Sequence, residues 1–277
     1  DKEGNTLLHL LAQYGNEPAA IDAVLINMEP EAVKTALSST NSSGFTVLHL
    51  ASQHSMNPAM VSRLIAWGSD PNFLDVKWLS NPLKTIYKTL PLHLAAGRTD
   101  DTSGTIMLRL LAGGADIFAQ DEKGNTALHI ALKTNSSYHY AARLLLSIQQ
   151  YQMKFYQRNV SEIKNIEGAT PLLYIVSPPQ KLTYSSIREL LQFGASSDTA
   201  TKDGWTPLLI YAAAGDDANI FELLLSASEN ACQQAITSST AEGSDIEAFL
   251  NNNTVLKNKK TSSEQYTMAV YKTKCPS

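Results

Sequence analysis

The sequence has 277 residues, of which 43% are hydrophobic and 17% are charged, and its formal net charge is −4. This composition is too apolar for a disordered chain, and charges of both signs without a basic stripe make nucleic acid an unfavoured partner. No apolar run approaches the roughly 20 residues that span a bilayer. The two cysteines give no disulfide framework and suit a reducing compartment.

One short pattern recurs six times along the chain. Its copies are GNTLLHLLA (4–12), GFTVLHLAS (44–52), LPLHLAA (90–96), GNTALHIAL (124–132), GATPLLYIV (168–176) and GWTPLLIYA (204–212). The pattern is anchored at six equivalent positions, namely His9, His49, His93, His129, Leu173 and Leu209. Recurrence at a fixed place in each unit indicates a repeat architecture.

A second apolar stretch follows each copy after a polar turn. Residues 61–68, 106–114, 141–148, 186–194 and 219–227 place apolar side chains three and four apart, which predicts helices. Gly68, Gly114 and Gly194 are predicted to end three of them. Each unit is then a turn, a short helix, a turn and a second helix. Since short helices are marginal alone, the units are expected to stack.

Insertions interrupt the pattern in different units. They fall at 30–40, at 71–88, at 149–163, which we predict to extend a helix, and at 177–186, where two prolines prevent a simple continuation. Such insertions commonly map to one face, often the binding face. Residues 229–277 do not continue the pattern, so we expect a repeat array over 1–228 and a C-terminal cap, or the start of a further region, over 229–277.

These motifs resemble ankyrin repeats, in particular DEKGNTALHIAL (121–132) and GWTPLLIYAAAG (204–215). The resemblance covers about residues 1–228 and implies an all-α solenoid of six stacked helix-turn-helix repeats. It also implies that the threonine and histidine of each motif form a structural hydrogen-bonding pair. Leucine at positions 173 and 209 shows that the site tolerates loss of the ring, which a catalytic base would not.

No motif for phosphate, dinucleotide or metal-assisted chemistry is present. We therefore expect no enzyme, no cofactor and no metal site. One catalytic alternative remains, in which Cys232 in the C-terminal region is a nucleophile paired with His54 or His139. Packing of Cys232 as a small hydrophobe is favoured over this alternative, and Cys275 is expected to be exposed.

Proteins that resemble this chain bind other proteins through their concave face and turn tips. By position, the candidate protein-binding residues are Tyr14, Phe45, Gln53, His54, Trp78, Arg98, Asn125, Lys133 and Trp205. Aromatic residues and arginine dominate interface energetics. For Phe45 and Trp205 an alternative is equally favoured, in which the ring folds back onto the neighbouring turn.

The sequence thus predicts a non-catalytic scaffold that binds a protein partner. An alternative is a regulatory recognition domain of a larger enzyme or channel. Irregular repeats rich in Asn, Gln and Ser also resemble those of effectors that intracellular bacteria secrete into host cells, so a host protein is one expected partner. On either interpretation we expect an intracellular, cytoplasmic protein that does not insert into a membrane.

Overall fold

The computed structural model describes residues 1–73, 89–133, 142–148, 158–177, 184–230, 252–253, 272 and 274–275. Every regular element within these ranges is helical, so the predicted all-α class is confirmed. The chain forms two compact units, Asp1–Leu145 and Leu146–Ser277. Residues 149–157 and 178–183, which hold most of two predicted insertions, lie outside the described ranges, as do residues 74–88.

The first unit consists of short helices, most of which form helix-turn-helix pairs. They are α1 (Leu7–Tyr14), α2 (Ala19–Leu25), α3 (Pro30–Ser38), α4 (Val47–His54), α5 (Pro58–Ala66), α6 (Pro91–Ala96), α7 (Ser103–Ala112) and α8 (Ala127–Lys133). A further helical segment covers 142–148. Helices α5 and α7 and the segment 142–148 confirm three of the predicted second helices.

Within the first unit, the first helix of one repeat packs on the first helix of the next. In the first unit α1 contacts α4, α4 contacts α6 and α6 contacts α8, whereas the second helices α5 and α7 pack together beside them. We call α1, α4, α6 and α8 the inner helices. Their buried side chains, including Leu48, Leu92 and Leu128, together with Met60 and Met107 of the second helices, form a continuous core. Each short helix is therefore stabilised by its neighbours.

The second unit repeats the arrangement. It contains a 3₁₀ turn (Val160–Glu162) and helices α9 (Pro171–Val176), α10 (Tyr184–Gln192), α11 (Pro207–Ala214) and α12 (Ala218–Ala227). The first helices α9 and α11 pack on each other, and so do the second helices α10 and α12. Tyr211 and Phe221 are the largest side chains buried in this core.

The recurring histidines hold the repeats together. His49 Nδ1 accepts the backbone N–H of Thr46 at 3.2 Å and lies 2.8 Å from its hydroxyl oxygen, and Thr6–His9 and Thr126–His129 repeat this pair. Because Nδ1 is an acceptor, the proton resides on Nε2. In His9 this Nε2–H donates to the Phe45 carbonyl at 3.0 Å, one repeat further on. The predicted structural role is confirmed.

Threonine performs the capping part of this role even where leucine replaces histidine. The hydroxyl oxygens of Thr170 and Thr206 accept the backbone N–H groups of Leu173 and Leu209, both at 3.3 Å. The first helices α9 and α11 therefore keep an N-cap but lack the imidazole that reaches the next repeat.

Asparagine side chains connect the turns of adjacent repeats. Asn72 Nδ2 donates to the Gly114 carbonyl at 2.8 Å, and its Oδ1 accepts the Asp116 N–H at 2.8 Å. Gly114 has a φ of +92°, which confirms that a glycine in the left-handed region follows this helix, as predicted. In the second unit Asn159 donates in the same way to the Gly194 carbonyl, at 3.0 Å.

The structure shows what segments 30–40 and 158–163 of two predicted insertions form. Most of segment 30–40 forms helix α3, which packs on α4. The prediction of a helix extended through residue 163 is wrong at its end, because 158–163 contain only the 3₁₀ turn. The Asn159 side chain accepts the Ser161 N–H at 2.9 Å and so caps a new turn there.

Described parts of the C-terminal segment contact the last repeat. Asn253 Nδ2 donates to the Gly215 carbonyl at 2.9 Å, and Lys274 Nζ donates to the carbonyls of Leu225 and Ser228. Cys275 is half-buried and disulfide-bonded, so the expectation of an exposed thiol is wrong. A disulfide persists in an oxidising environment. The cysteines therefore do not support the reducing compartment that their number suggested.

Candidate protein-binding surface

The C-terminal ends of the inner helices bring together three of the predicted binding residues. Tyr14 ends α1 and His54 ends α4, five positions after His9 and His49 respectively. Since α1 packs on α4, equivalent positions in these helices are neighbours along the stack. Tyr14 is 76% exposed, His54 is exposed and Gln53 is half-buried. We call this set, with Met56, the helix-end surface.

Met56 belongs to this surface but was not predicted from the sequence. It lies in the turn after α4 and is 63% exposed. Its sulfur is 3.8 Å from an Arg98 guanidinium nitrogen. Its place in the sequence could have indicated this, because a residue directly before Asn57–Pro58 lies between two helices and is not part of the buried face of either.

Arg98 lies beneath the helix-end surface, where its guanidinium contacts the Met56 sulfur, and it is only 8% exposed. Its guanidinium pairs with the Asp100 carboxylate at 2.9 Å and donates to the Ser52 carbonyl at 3.3 Å. Although desolvation raises the pKa of Asp100, hydrogen bonds from Thr102 and Arg98 lower it overall. Partial burial and the positive charge of Arg98 lower the pKa of His54, which favours the neutral ring. Arg98 therefore acts as internal support, and we do not assign it to the surface itself.

The turn tips present less side chain than the sequence suggested. The Phe45 ring is half-buried and stacks on His49, with centroids 5.5 Å apart and an interplanar angle of 10°. The ring therefore packs on the motif histidine of its own repeat, whereas the predicted alternative placed it on the neighbouring turn. Trp205 is also half-buried, and its backbone carbonyl accepts the Thr201 N–H at 2.9 Å. Asn125 is 8% exposed and its backbone N–H donates to Asp121, so it shapes the turn.

Lys133 and Trp78 are the remaining candidates. Lys133 is exposed at the end of α8. Trp78, together with His139 and Cys232 of the catalytic alternative, lies outside the described residues. Cys275 offers no thiolate, because its sulfur is in a disulfide.

The described residues contain neither a metal-binding cluster nor a membrane-spanning helix. No group of three or more His, Cys, Asp or Glu side chains is placed to hold a metal ion in that part of the chain. No described helix is both long enough and apolar enough to cross a bilayer.

The fold and the surface define an all-helical repeat protein of stacked helix-turn-helix units. A family model described as "Ankyrin repeat" matches residues 43–76 and 203–235. The chain therefore contains ankyrin repeats at these residues, and its fold is the ankyrin-repeat solenoid that the sequence resemblance implied.

Three proteins illustrate this similarity. The E3 ubiquitin-protein ligase KEG of Arabidopsis thaliana is 28% identical over 131 residues, which is 47% of this chain but only 6% of the relative. The ankyrin repeat domain of Bcl-3, a member of the IkappaB family, is 22% identical with a TM-score of 0.63, covering 90% of this chain and 99% of that one. An ankyrin repeat domain from Acinetobacter baumannii is 25% identical with a TM-score of 0.60, covering 79% and 96%.

Proposed function

We propose that this chain is a non-catalytic protein-binding module and that its helix-end surface contacts the partner. Ankyrin repeats generally serve as protein-protein interaction modules, which supports the coarse assignment. The assignment of the contact to the helix-end surface rests on the exposure of Tyr14, His54 and Met56 at the ends of adjacent inner helices. These side chains offer a partner an aromatic ring, an adaptable thioether and a neutral imidazole, and all three are held by packed helices.

The rigidity of the support favours this surface over the turn tips. Arg98 is fixed by Asp100 and by the Ser52 carbonyl, so the Met56 sulfur rests on an ordered guanidinium. Side chains that are held before binding lose less conformational freedom when a partner arrives. Lys133 of the first unit and Trp205 of the second are proposed as additional contacts, each within its own unit. Trp78 remains a proposed contact outside the described residues.

The test is affinity capture with the full chain as bait. His54→Ala/Met56→Ser removes the proposed contacts, and Leu108→Ser is the matched control because Leu108 is 41% exposed on the second helix α7. Circular dichroism establishes that all three proteins are folded. A protein retained by the parent and the control but lost by the double variant supports the proposal. Equal retention by all three baits would overturn the assignment of this surface.

We also propose that the partner is a host protein and that the chain is a bacterial effector that acts on a eukaryotic host. The irregular, Asn- and Ser-rich repeats and the similarity to the Acinetobacter domain support this. Parallel capture from eukaryotic and bacterial lysates tests it. A partner that depends on Met56 and is found only in the bacterial lysate contradicts the effector role but leaves the binding module intact.

A further inference from the structure

A side chain from the C-terminal segment covers the carbonyl end of helix α11. Asn253 Nδ2 donates to the Ala212 carbonyl at 3.2 Å and to the Gly215 carbonyl at 2.9 Å, and Asn253 is half-buried. The last carbonyls of a helix have no partner within that helix, so they accept hydrogen bonds from other groups. Asn253 therefore occupies a place at this helix end that another donor could take.

The motif position explains why an asparagine can reach these carbonyls. Helices α1 and α4 end in the large side chains of Tyr14 and His54, five positions after their motif histidines. The residue five positions after Leu209 is Ala214, and α11 ends there. Because a methyl group fills much less space than a ring, a side chain from elsewhere in the chain can approach the end of α11 directly.

The carbonyl end of helix α12 is covered by a lysine. Lys274 Nζ donates to the carbonyls of Leu225 and Ser228. Gly194 follows the neighbouring second helix α10 with a φ of +86°, whereas Ser228 follows α12 with a φ of −86°. A helix that lacks the left-handed glycine leaves its last carbonyls to other donors. A cation is favoured among these donors, because this end of the helix carries the negative end of its dipole.

Asp198 of the preceding repeat helps to hold the same helix end. Its carboxylate accepts the Ser228 hydroxyl and the Glu229 backbone N–H, the latter at 2.9 Å. Desolvation lowers the pKa of Lys274, and the negative charge of Asp198 opposes this shift. The lysine is thus held by two carbonyls and attracted by one carboxylate.

A disulfide lies directly beside these contacts. Cys275 follows Lys274, and its sulfur is in a disulfide. The sequence has one other cysteine, Cys232, four positions after Ser228. A bridge within the chain keeps Lys274 close to the end of the last repeat, and therefore at a high effective concentration there. Cys275 is only half-buried, so a thiolate can approach it. We call Asn253, Lys274 and Cys275 the C-terminal clasp.

We propose that the C-terminal clasp is a redox-released cover, which the disulfide holds on the carbonyl ends of α11 and α12 and which reduction sets free. The reductant is a dithiol, which supplies two electrons and two protons. The sulfur–sulfur bond breaks, Cys232 and Cys275 become thiols, and the dithiol becomes a cyclic disulfide. Release uncovers the carbonyl ends of both helices. The proposal goes beyond the helix-end surface, since Tyr14, His54 and Met56 take no part in it.

Hydrogen–deuterium exchange of the full chain, measured by mass spectrometry, tests the proposal. The oxidised parent is compared with the parent reduced by dithiothreitol and with Cys275→Ser. We expect the amides of peptides that contain Asn253 or Lys274 to exchange at least tenfold faster in the reduced parent and in Cys275→Ser. The amides around Tyr211 and Phe221, in the bodies of α11 and α12, should stay protected. Dithiothreitol should cause no further change in Cys275→Ser.

Three results would overturn the proposal. Unchanged exchange at the clasp after reduction would mean that the side-chain contacts hold it without the disulfide. Loss of protection throughout α11 and α12 would mean that the disulfide stabilises the repeat itself. A disulfide-linked dimer on non-reducing electrophoresis would mean that the bridge joins two chains. None of these results concerns His54 or Met56, so failure here is distinguishable from failure of the helix-end surface.

Discussion

Acidification should destabilise the first unit through His49. This ring is 2% exposed, and its Nδ1 accepts the Thr46 backbone N–H. A second proton would have to sit on Nδ1, directly facing that donor. Burial, above all, lowers the pKa of His49 to about 4, with smaller contributions from His9 and His93. The folded state therefore resists a proton that the unfolded chain accepts readily.

The size of the effect follows from the difference between the two pKa values. At pH values well above 6.5 His49 is neutral in both states, and its pKa shift has no effect on stability. As the pH falls toward 4 the unfolded chain binds the proton first, so stability is lost. The loss attributable to His49 is about 2 kcal/mol at pH 5 and about 3 kcal/mol at pH 4. Burial also lowers the pKa values of His9 and His93, so these residues act in the same direction.

Urea unfolding at pH 7.5 and pH 5.0 measures this loss. In a Trp205→Phe background the remaining fluorescent tryptophans in the first unit, Trp67 and Trp78, report its unfolding. The control is His49→Leu, since leucine occupies the same motif position in the last two repeats. Loss of the His49 hydrogen bond lowers the free energy of unfolding at both pH values, so it cancels when the two values for the variant are subtracted. We expect the pH-dependent loss to be smaller by about 2 kcal/mol in the variant. An identical pH dependence in both proteins would refute the reasoning.

Three further changes test the packing. Gly215→Ala places a methyl group 2.5 Å from the backbone carbonyl oxygen of Tyr211, which cannot move aside as a side-chain end can, and should cost about 1–3 kcal/mol in urea unfolding. Arg98→Met removes the buried partner of the Asp100 carboxylate and should cost about 2 kcal/mol, and its Asp100 should titrate at higher pH by NMR. Burial raises the pKa of Tyr211 to about 12, so stability should fall as the pH rises above 10, and Tyr211→Phe should lack that fall.

The repeated motif determined most of the fold from the sequence. Within nine residues, the threonine caps the first helix, its contact with the histidine sets the tautomer of the ring, and the apolar residues form the buried helix face. Each of these effects is local. Helix starts at Thr46 and Thr126 could therefore be predicted without knowledge of the neighbours. The end of the segment 149–163 could not, because Asn159 starts a new turn by a side-chain hydrogen bond that competes with helix continuation.

The surface was less predictable because exposure depends on neighbours. Arg98 and His54 occupy equivalent positions in their repeats, yet Arg98 is buried and His54 is exposed. The difference arises because Asp100 and the Ser52 carbonyl draw the guanidinium inward. Similarly, Leu7 of α1 and Val47 of α4 have the same place in the motif. Val47 is buried because α1 packs on α4, whereas Leu7 is 60% exposed.

The amide links from Asn72 to Gly114 and from Asn159 to Gly194 each join one repeat to the next, and this arrangement has a mechanical consequence. Tension applied along the chain acts on such links in series, because each lies between a different pair of repeats, and they break one after another. Extension should therefore proceed repeat by repeat, in steps of about 120–150 Å for anchor spacings of 36–44 residues. Such a stack would yield gradually under load, in contrast to a domain whose parallel contacts fail together.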